Sequence, residues 1–427
     1  MLRLRVTAGA LQLTTFIIVV IALLLTAFIL LVNTHKQFQI QSNFIKETTK
    51  QSDHGVNYAL RNAIRLNDTT TINLNDEDYK TLKVYRSFWG VFGRVLSSAS
   101  IKKNRFQKVA LIGSKQPKNN RTVLYVQDNN KPLVLVGNTK IEGLAYLPRQ
   151  GVKPGYIAGQ SYYSSQLIYG PARVSSLLPK LSSEVVNNIS QLEHINSTLS
   201  LHQFLNMQDG NQYSNSFLEP LQIVFSNSNI DLRAVELTGH ILVQSKSKIV
   251  VHPSSNLKDV ILLAPEIEIL PNTVGNFQAI ASKEVIVGED VQLNYPSAIV
   301  VREKQDVQQS GSAISLIEEE YKITINENTV VKGLVLFLGQ ENPNNYKPQI
   351  LLKEGATVYG ELYNTENTEL QGSVYGTVYT NDFIANQSGS IYQNHIYNGT
   401  ITINELPQQY VGLLFNDSKK DVLKWLY

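Results

Sequence analysis

Glu266, Glu268 and Glu284 are the residues of this chain whose type and spacing come nearest to acid–base chemistry. Two carboxylates held on neighbouring strands can act as general acid and base on a glycosidic bond. The same spacing sets Lys248 beside Glu266, so a solvated ladder of opposite charges explains the pattern without any reaction. Other catalytic signatures are incomplete. Gly159-Gln160-Ser161-Tyr162-Tyr163 lacks the final glycine of a nucleophile elbow, and Gly113-Ser114-Lys115 lacks the upstream glycine of a phosphate loop. His194 and His202 have no cysteine to help them, so neither a metal site nor a cofactor is expected. The chain is read as a non-enzyme, with no catalytic residues assigned.

Binding chemistry is better represented. Tyrosine outnumbers phenylalanine 21 to 14, a bias suited to surfaces where an apolar ring meets water or a partner. Tyr359, Tyr363, Tyr375 and Tyr379 recur at matching offsets and form the candidate binding face, with a protein or a glycan as its expected partner. A net charge of +3, from 38 basic and 35 acidic residues, gives no electrostatic footprint for nucleic acid.

These side chains need elements to hold them, and the first is a membrane anchor. From Phe16 to Val32 only Thr26 interrupts an apolar run, and Leu11 to Thr15 extends it to the roughly 20 helical residues that a bilayer core requires. A cleaved signal peptide has a shorter apolar segment ending at small residues, and Leu31-Val32-Asn33-Thr34-His35 offers no such junction. Arg3 and Arg5 on one side balance Lys36 and Lys46 on the other. The short amino-terminal tail is the easier part to leave inside. A single pass through the cytoplasmic (inner) membrane is therefore expected, with the carboxyl-terminal domain periplasmic or extracellular.

Gly9-Ala10-Leu11 follows a short arginine-bearing leader and directly precedes the apolar helix. This arrangement, over about 30 residues, resembles the start of type IV pilins and secretion-system pseudopilins. In those families a leader peptidase cuts after a glycine and the remaining helix packs into a filament. Ala10 stands where most pilins have Phe, and Thr14 where they have Glu, so the likeness is to divergent minor pilins. The resemblance implies a processing junction at Gly9 and Ala10 and pilin-like envelope partners; a plain signal anchor is the alternative.

Beyond the membrane, Val56, Leu60, Ala63 and Ile64 share one helical face, and Gly55 is expected to break or kink that helix. Val123–Val126 and Leu133–Val136 read as strands, with Asp128-Asn129-Asn130-Lys131 as a hairpin turn.

A repeat governs the rest. Ile249, Ile267 and Val285 start 18 residues apart, each followed two residues later by Val251, Ile269 or Val287 and then by turn residues and another apolar strand. The pattern returns at Ile323 with Ile325 and at Ile350 with Leu352, after insertions at 302–321 and around 340–345. Insertions that restore the register point to a parallel β-solenoid with coils of about 18 residues rather than to a sandwich. Gly360, Gly372, Gly376 and Gly389 mark corners as the pattern runs on to Ile384 and Ile391.

Ala356-Thr357-Val358-Tyr359-Gly360-Glu361-Leu362 and Gly372-Ser373-Val374-Tyr375-Gly376-Thr377-Val378 resemble bactofilins and other polymer-forming parallel β-helix proteins. That likeness implies the fold, and its cytoplasmic members pull against an outward orientation.

The expected fold is mainly β: a leader-like tail at 1–9, a transmembrane helix at 10–33, a helical stalk at 34–68 and a small β-rich module at 69–136. First solenoid coils follow at 137–174, a helical insertion or cap at 175–233, the solenoid at 234–404 and a helical carboxyl-terminal cap at 405–427. The expected role is an anchored structural or interaction protein of a bacterial envelope, pilin-like; an independent adhesin or scaffold is second, and a β-helix carbohydrate-active enzyme third.

Overall fold

The computed structural model describes residues 8–74, 79–117, 119–195, 200–207, 210–304, 320–340, 342, 344–416 and 418–426. It is mainly β, with one long apolar helix at the amino-terminal end.

Helix α1 (Ala8–Arg61) runs unbroken for 54 residues, about 80 Å at 1.5 Å per residue. Its apolar first part is exposed, and the helix is long and apolar enough to cross a membrane. Thr48 is the first fully buried side chain, followed on the same face by Ser52, Gly55, Val56 and Ala59. Gly55 does not break the helix. A Cβ there would lie 2.2 Å from Ser97 Oγ, so glycine is needed for close approach to the sheet. Leu60 is only partly buried and Ala63 is exposed, which narrows the face expected from the sequence.

The face of α1 packs on strands β1 (Thr69–Ile72), β2 (Lys80–Trp89), β3 (Phe92–Ile101) and β4 (Asn104–Lys115), which pair antiparallel in that order. Val56, Ala59 and Ile64 meet Val84, Val95, Ala110 and Ile112 there. Ion pairs Lys80–Glu47 and Lys108–Asp53 pin the helix flanks.

Lys420–Leu426 is a strand pairing antiparallel with β4, not the expected helical cap. The open edge of β4 offers backbone partners to a segment too short to gain a stable helix by itself. The small β module is thus completed by the far end of the chain.

Parallel pairing dominates the remainder. Ile249 pairs in register with Ile267, Ile267 with Val285, Val285 with Ile323 and Ile323 with Ile350, all buried. A second ladder joins Ile241–Ser245, Ile261–Leu263, Gln278–Ala281, Ala298–Val301, Leu334–Phe337, Glu361–Asn364 and Thr377–Thr380. A third carries Gln292, Val330, Thr357, Ser373 and Thr400 in register. The three form a closed parallel sheet around one apolar core, since alternate residues of each strand point inward. Most of the 302–321 insertion lies outside the described residues, yet Glu284 pairs directly with Lys322 across it.

Three expectations about order change. Val378–Thr380 pairs with Leu124–Val126, and Thr400–Thr402 with Lys140–Glu142, so residues 122–174 extend the stack beyond its carboxyl-terminal strands instead of opening it. Leu133–Val136 pairs with His395–Tyr397 and Val152–Pro154, so Asp128–Lys131 is a corner and not a hairpin turn. The helical pattern at 175–233 shrinks to helix α2 (Ser183–Leu192) and the short turn Leu201–Gln203, while Gln212–Asn215, Gln222–Ser226 and Ile230–Leu232 are already strands of the stack. Ile391 leaves the core in an antiparallel hairpin and is exposed.

The antiparallel sheet docks on the outer face of the second ladder. Trp89, Phe92, Val109 and Leu111 pack with Leu242, Ile261, Ile280 and Leu334, and α2 adds Val185, Ile189 and Leu192. Gln278 secures the β2–β3 turn in both directions, accepting from Val91 N–H and donating to Trp89 O, each at 2.9 Å.

Candidate functional site

Glu266 and Glu284 are in register on adjacent strands, flanked by Lys248 and Lys322 in the same column. Lys248 bonds Glu268 at 2.6 Å, Lys283 lies 3.5 Å from Glu266 and Lys322 lies 3.4 Å from Glu284. Each carboxylate has an ammonium partner on a half-exposed surface, the arrangement of a charge ladder. Such pairs contribute about 0–1 kcal/mol each. Glu266→Gln or Glu284→Gln should therefore shift the denaturation midpoint by less than about 1 kcal/mol in equivalent stability.

The expected tyrosine face divides in two. Tyr363 and Tyr379 are buried on the second ladder, where Tyr363 Oη donates to Pro179 O at 3.0 Å and both rings pack against Phe415. Tyr359 and Tyr375 lie on the third ladder, stacked with centroids 4.9 Å apart and partly exposed. The offset is the same within each strand, but alternate ladders face different neighbours, so the four rings never share one surface.

Tyr359 opens onto a cleft of about 830 Å³. Its base follows the third ladder through Gln292, Asn294, Val330 and Lys332, and Tyr359 closes one end. The opposite wall is the segment from Glu405 to Tyr410 with Val422 and Leu423 of the last strand. Tyr359 Oη donates to Glu405 Oε2 at 3.1 Å, fixing the ring against the wall.

That wall is tied down from beneath. Glu361 is fully buried and accepts from Leu413 N–H at 2.5 Å and from Gln116 Nε2 at 2.6 Å. Tyr295 Oη donates to Val411 O at 2.8 Å, and Tyr410 Oη to Gly333 O at 3.2 Å. Arg121 donates to Pro407 O at 3.0 Å and also to Gln408 O. Burial pushes the Glu361 carboxyl up to about 7, against the opposing pull of the Leu413 amide and the Arg121 charge. Tyr295 and Tyr410 are raised by burial, with the Glu361 charge adding to it.

A carboxyl raised on folding binds its proton more tightly in the folded chain than in the unfolded one. Its contribution is therefore greatest in acid and falls as pH rises from about 4.5 to about 7, by about 3 kcal/mol in all. Glu361→Gln should remove that slope from denaturation midpoints measured between pH 4 and pH 8 on the detergent-solubilised chain. An unchanged slope would contradict this account of the buried group.

The remaining sequence signals stay apart. Ser161 sits in a two-residue hairpin strand with Tyr156 opposite, and Gly113, Ser114 and Lys115 are part of β4, where Lys115 pairs with Asp421 at 2.6 Å. His194 and His202 are both exposed. Among the described residues no group of three His, Asp or Glu is arranged to hold a metal ion. Gly9 and Ala10 lie exposed in the first turns of α1.

Gln292, Asn294, Lys332, Glu405, Gln409 and Glu361 were not singled out in the sequence. Glu361 carried a signal: it falls in a column with Ala298 and Leu334, where a charge is out of place. The others depend on where the 405–410 segment crosses the ladder. Comparison with protein-family models, with curated proteins and with solved structures finds no match for this chain.

Proposed function

We propose that this chain is a minor-pilin-like or pseudopilin-like structural component of a bacterial envelope, anchored in the cytoplasmic membrane with its amino terminus inside. Helix α1 carries the reading. Residues 8–43 project for about 54 Å at 1.5 Å per residue, nearly twice the roughly 30 Å of a bilayer core, while Phe44 to Arg61 are held to an antiparallel sheet. A helix that is greasy and free at one end and locked to its head at the other suits insertion first in a bilayer and then among neighbouring helices.

In this proposal the three parallel ladders are coils of a β-solenoid held outside the membrane. End-to-end polymerisation of the bactofilin kind is less well supported. Phe204 and Leu205 bond to Ile223 at one end, and Pro154, Pro171, Lys153 and Arg173 line the other, a composition that blunts edge pairing. The lysine-paired glutamates argue against a glycan-cleaving site.

An independent anchored adhesin or scaffold is the second reading, favoured by the cleft beside Tyr359. Amino-terminal sequencing of the protein from its native membrane separates the two. Mature protein beginning at Ala10 supports the pilin-like role, and an intact Met1 removes it. Protease digestion of the carboxyl-terminal domain in intact cells or spheroplasts tests the orientation, and full protection in both would reverse it.

A further inference from the structure

We propose that the cleft between the third ladder and the 405–410 segment binds a neutral oligosaccharide. One face of the Tyr359 ring is covered by Tyr375, and the ring closes the end of the cleft, so its other face is the one presented to a ligand. The hydrogen bond to Glu405 holds that ring in place. An aromatic plane fixed from behind matches the apolar C–H face of a pyranose.

Polar groups surround the plane. The side chains of Gln292, Asn294, Lys332 and Gln409 line the cleft and make no hydrogen bond or ion pair within the described chain. Side-chain amides offer a donor and an acceptor together, which suits adjacent sugar hydroxyls. One lysine and one glutamate leave the lining electrically balanced, so it complements an uncharged ligand better than a polyanion. A volume of about 830 Å³ accommodates two or three sugar rings, within the usual range of small-ligand sites.

A peptide is the poorer fit. Gln292, Val330 and Thr357 are already paired within the ladder, so the cleft has no free strand edge for an extended chain to join. The segment forming the far wall is anchored by Glu361 and Arg121, so the site is preformed.

The test is calorimetry on the full chain in a detergent without a sugar headgroup, titrated with maltotriose, cellotriose and the trimer of N-acetylglucosamine. At least one should bind, and Asn294→Ala and Tyr359→Ala should each weaken it about tenfold. Tyr359→Phe, which keeps the ring, should retain most of the affinity. Tyr163→Ala, at an exposed ring elsewhere, should change nothing. Absence of binding by all three sugars at millimolar concentration would overturn the proposal. So would binding that survives Asn294→Ala, a change at an exposed side chain that leaves the fold intact, or preferential binding of unstructured peptides. None of these outcomes depends on processing at Gly9, so the cleft and the pilin-like reading stand or fall separately.

Discussion

Gly360→Ala should be among the most damaging single-methyl additions in this protein, costing about 3–5 kcal/mol. Gly360 has φ +148°, a conformation that residues with a side chain rarely adopt. A Cβ would lie 1.9 Å from Gly333 O in the strand before it and 2.8 Å from Tyr410 Oη. Neither can retreat easily: Gly333 is itself in register with Ser297 and Gly360, and Tyr410 anchors the cleft wall. Gly376 repeats the geometry one strand later, with its Cβ position 1.7 Å from Gly360 O. Against a typical total of about 5–15 kcal/mol for a folded protein, this loss takes a large share. Urea denaturation of wild type and variant measures it. Gly151→Ala is the informative comparison, because a Cβ there meets nothing within 4 Å and only its φ of +72° opposes the change. Equal losses at the two sites would mean that close approach between strands is not what Gly360 provides.

Trp89→Ala should cost about 3–5 kcal/mol by opening a cavity where the antiparallel sheet meets the parallel stack. The indole is 4 % exposed, packs edge-on against Phe217 with centroids 5.4 Å apart, and donates from Nε1 to Asp259 O at 2.9 Å. Its removal leaves that carbonyl without its donor and loosens the β2–β3 turn that Gln278 holds. Trp425, 48 % exposed at the far side, gives the control: Trp425→Ala should cost less than about 1 kcal/mol. Because these are the two tryptophans of the chain, fluorescence-detected unfolding of each variant reports on the other position. A small loss for Trp89→Ala would show that the sheet is held to the stack mainly by Phe92, Val109, Leu111 and the last strand.

The two variants probe features that differ in how far the sequence exposed them. Gly360 and Gly376 stood out as corners because the same Val-Tyr-Gly motif recurs, and the columns Ile249, Ile267, Val285, Ile323 and Ile350 were readable across two insertions. Trp89 gave no such hint, since its partners Phe217, His240 and Asp259 are far along the chain. Tyr363 and Tyr379 were misjudged for the same reason. An outward position on a strand faces water only if nothing lands on it, and here Phe415 and the segment at Pro179 do.

The candidate cleft divides likewise. Tyr359 was legible as a partly exposed ring in a repeat, whereas Asn294, Lys332 and Gln409 became neighbours only when the 405–410 segment crossed the ladder.

By itself the sequence determined the long apolar amino-terminal helix, the β class, the strand-to-strand register and the lack of recognisable catalytic motifs. These rest on local periodicity, which a bilayer or a pleated strand reads directly. Tertiary structure decided that residues 122–174 close the far end of the stack, that Lys420–Leu426 completes the sheet around α1, and that Glu361 is buried beneath the cleft wall. The physical reason is that parallel strands of like pattern are interchangeable as neighbours, so their order and the coverage of their outer faces depend on which long-range pairing buries the most surface and leaves the fewest open edges.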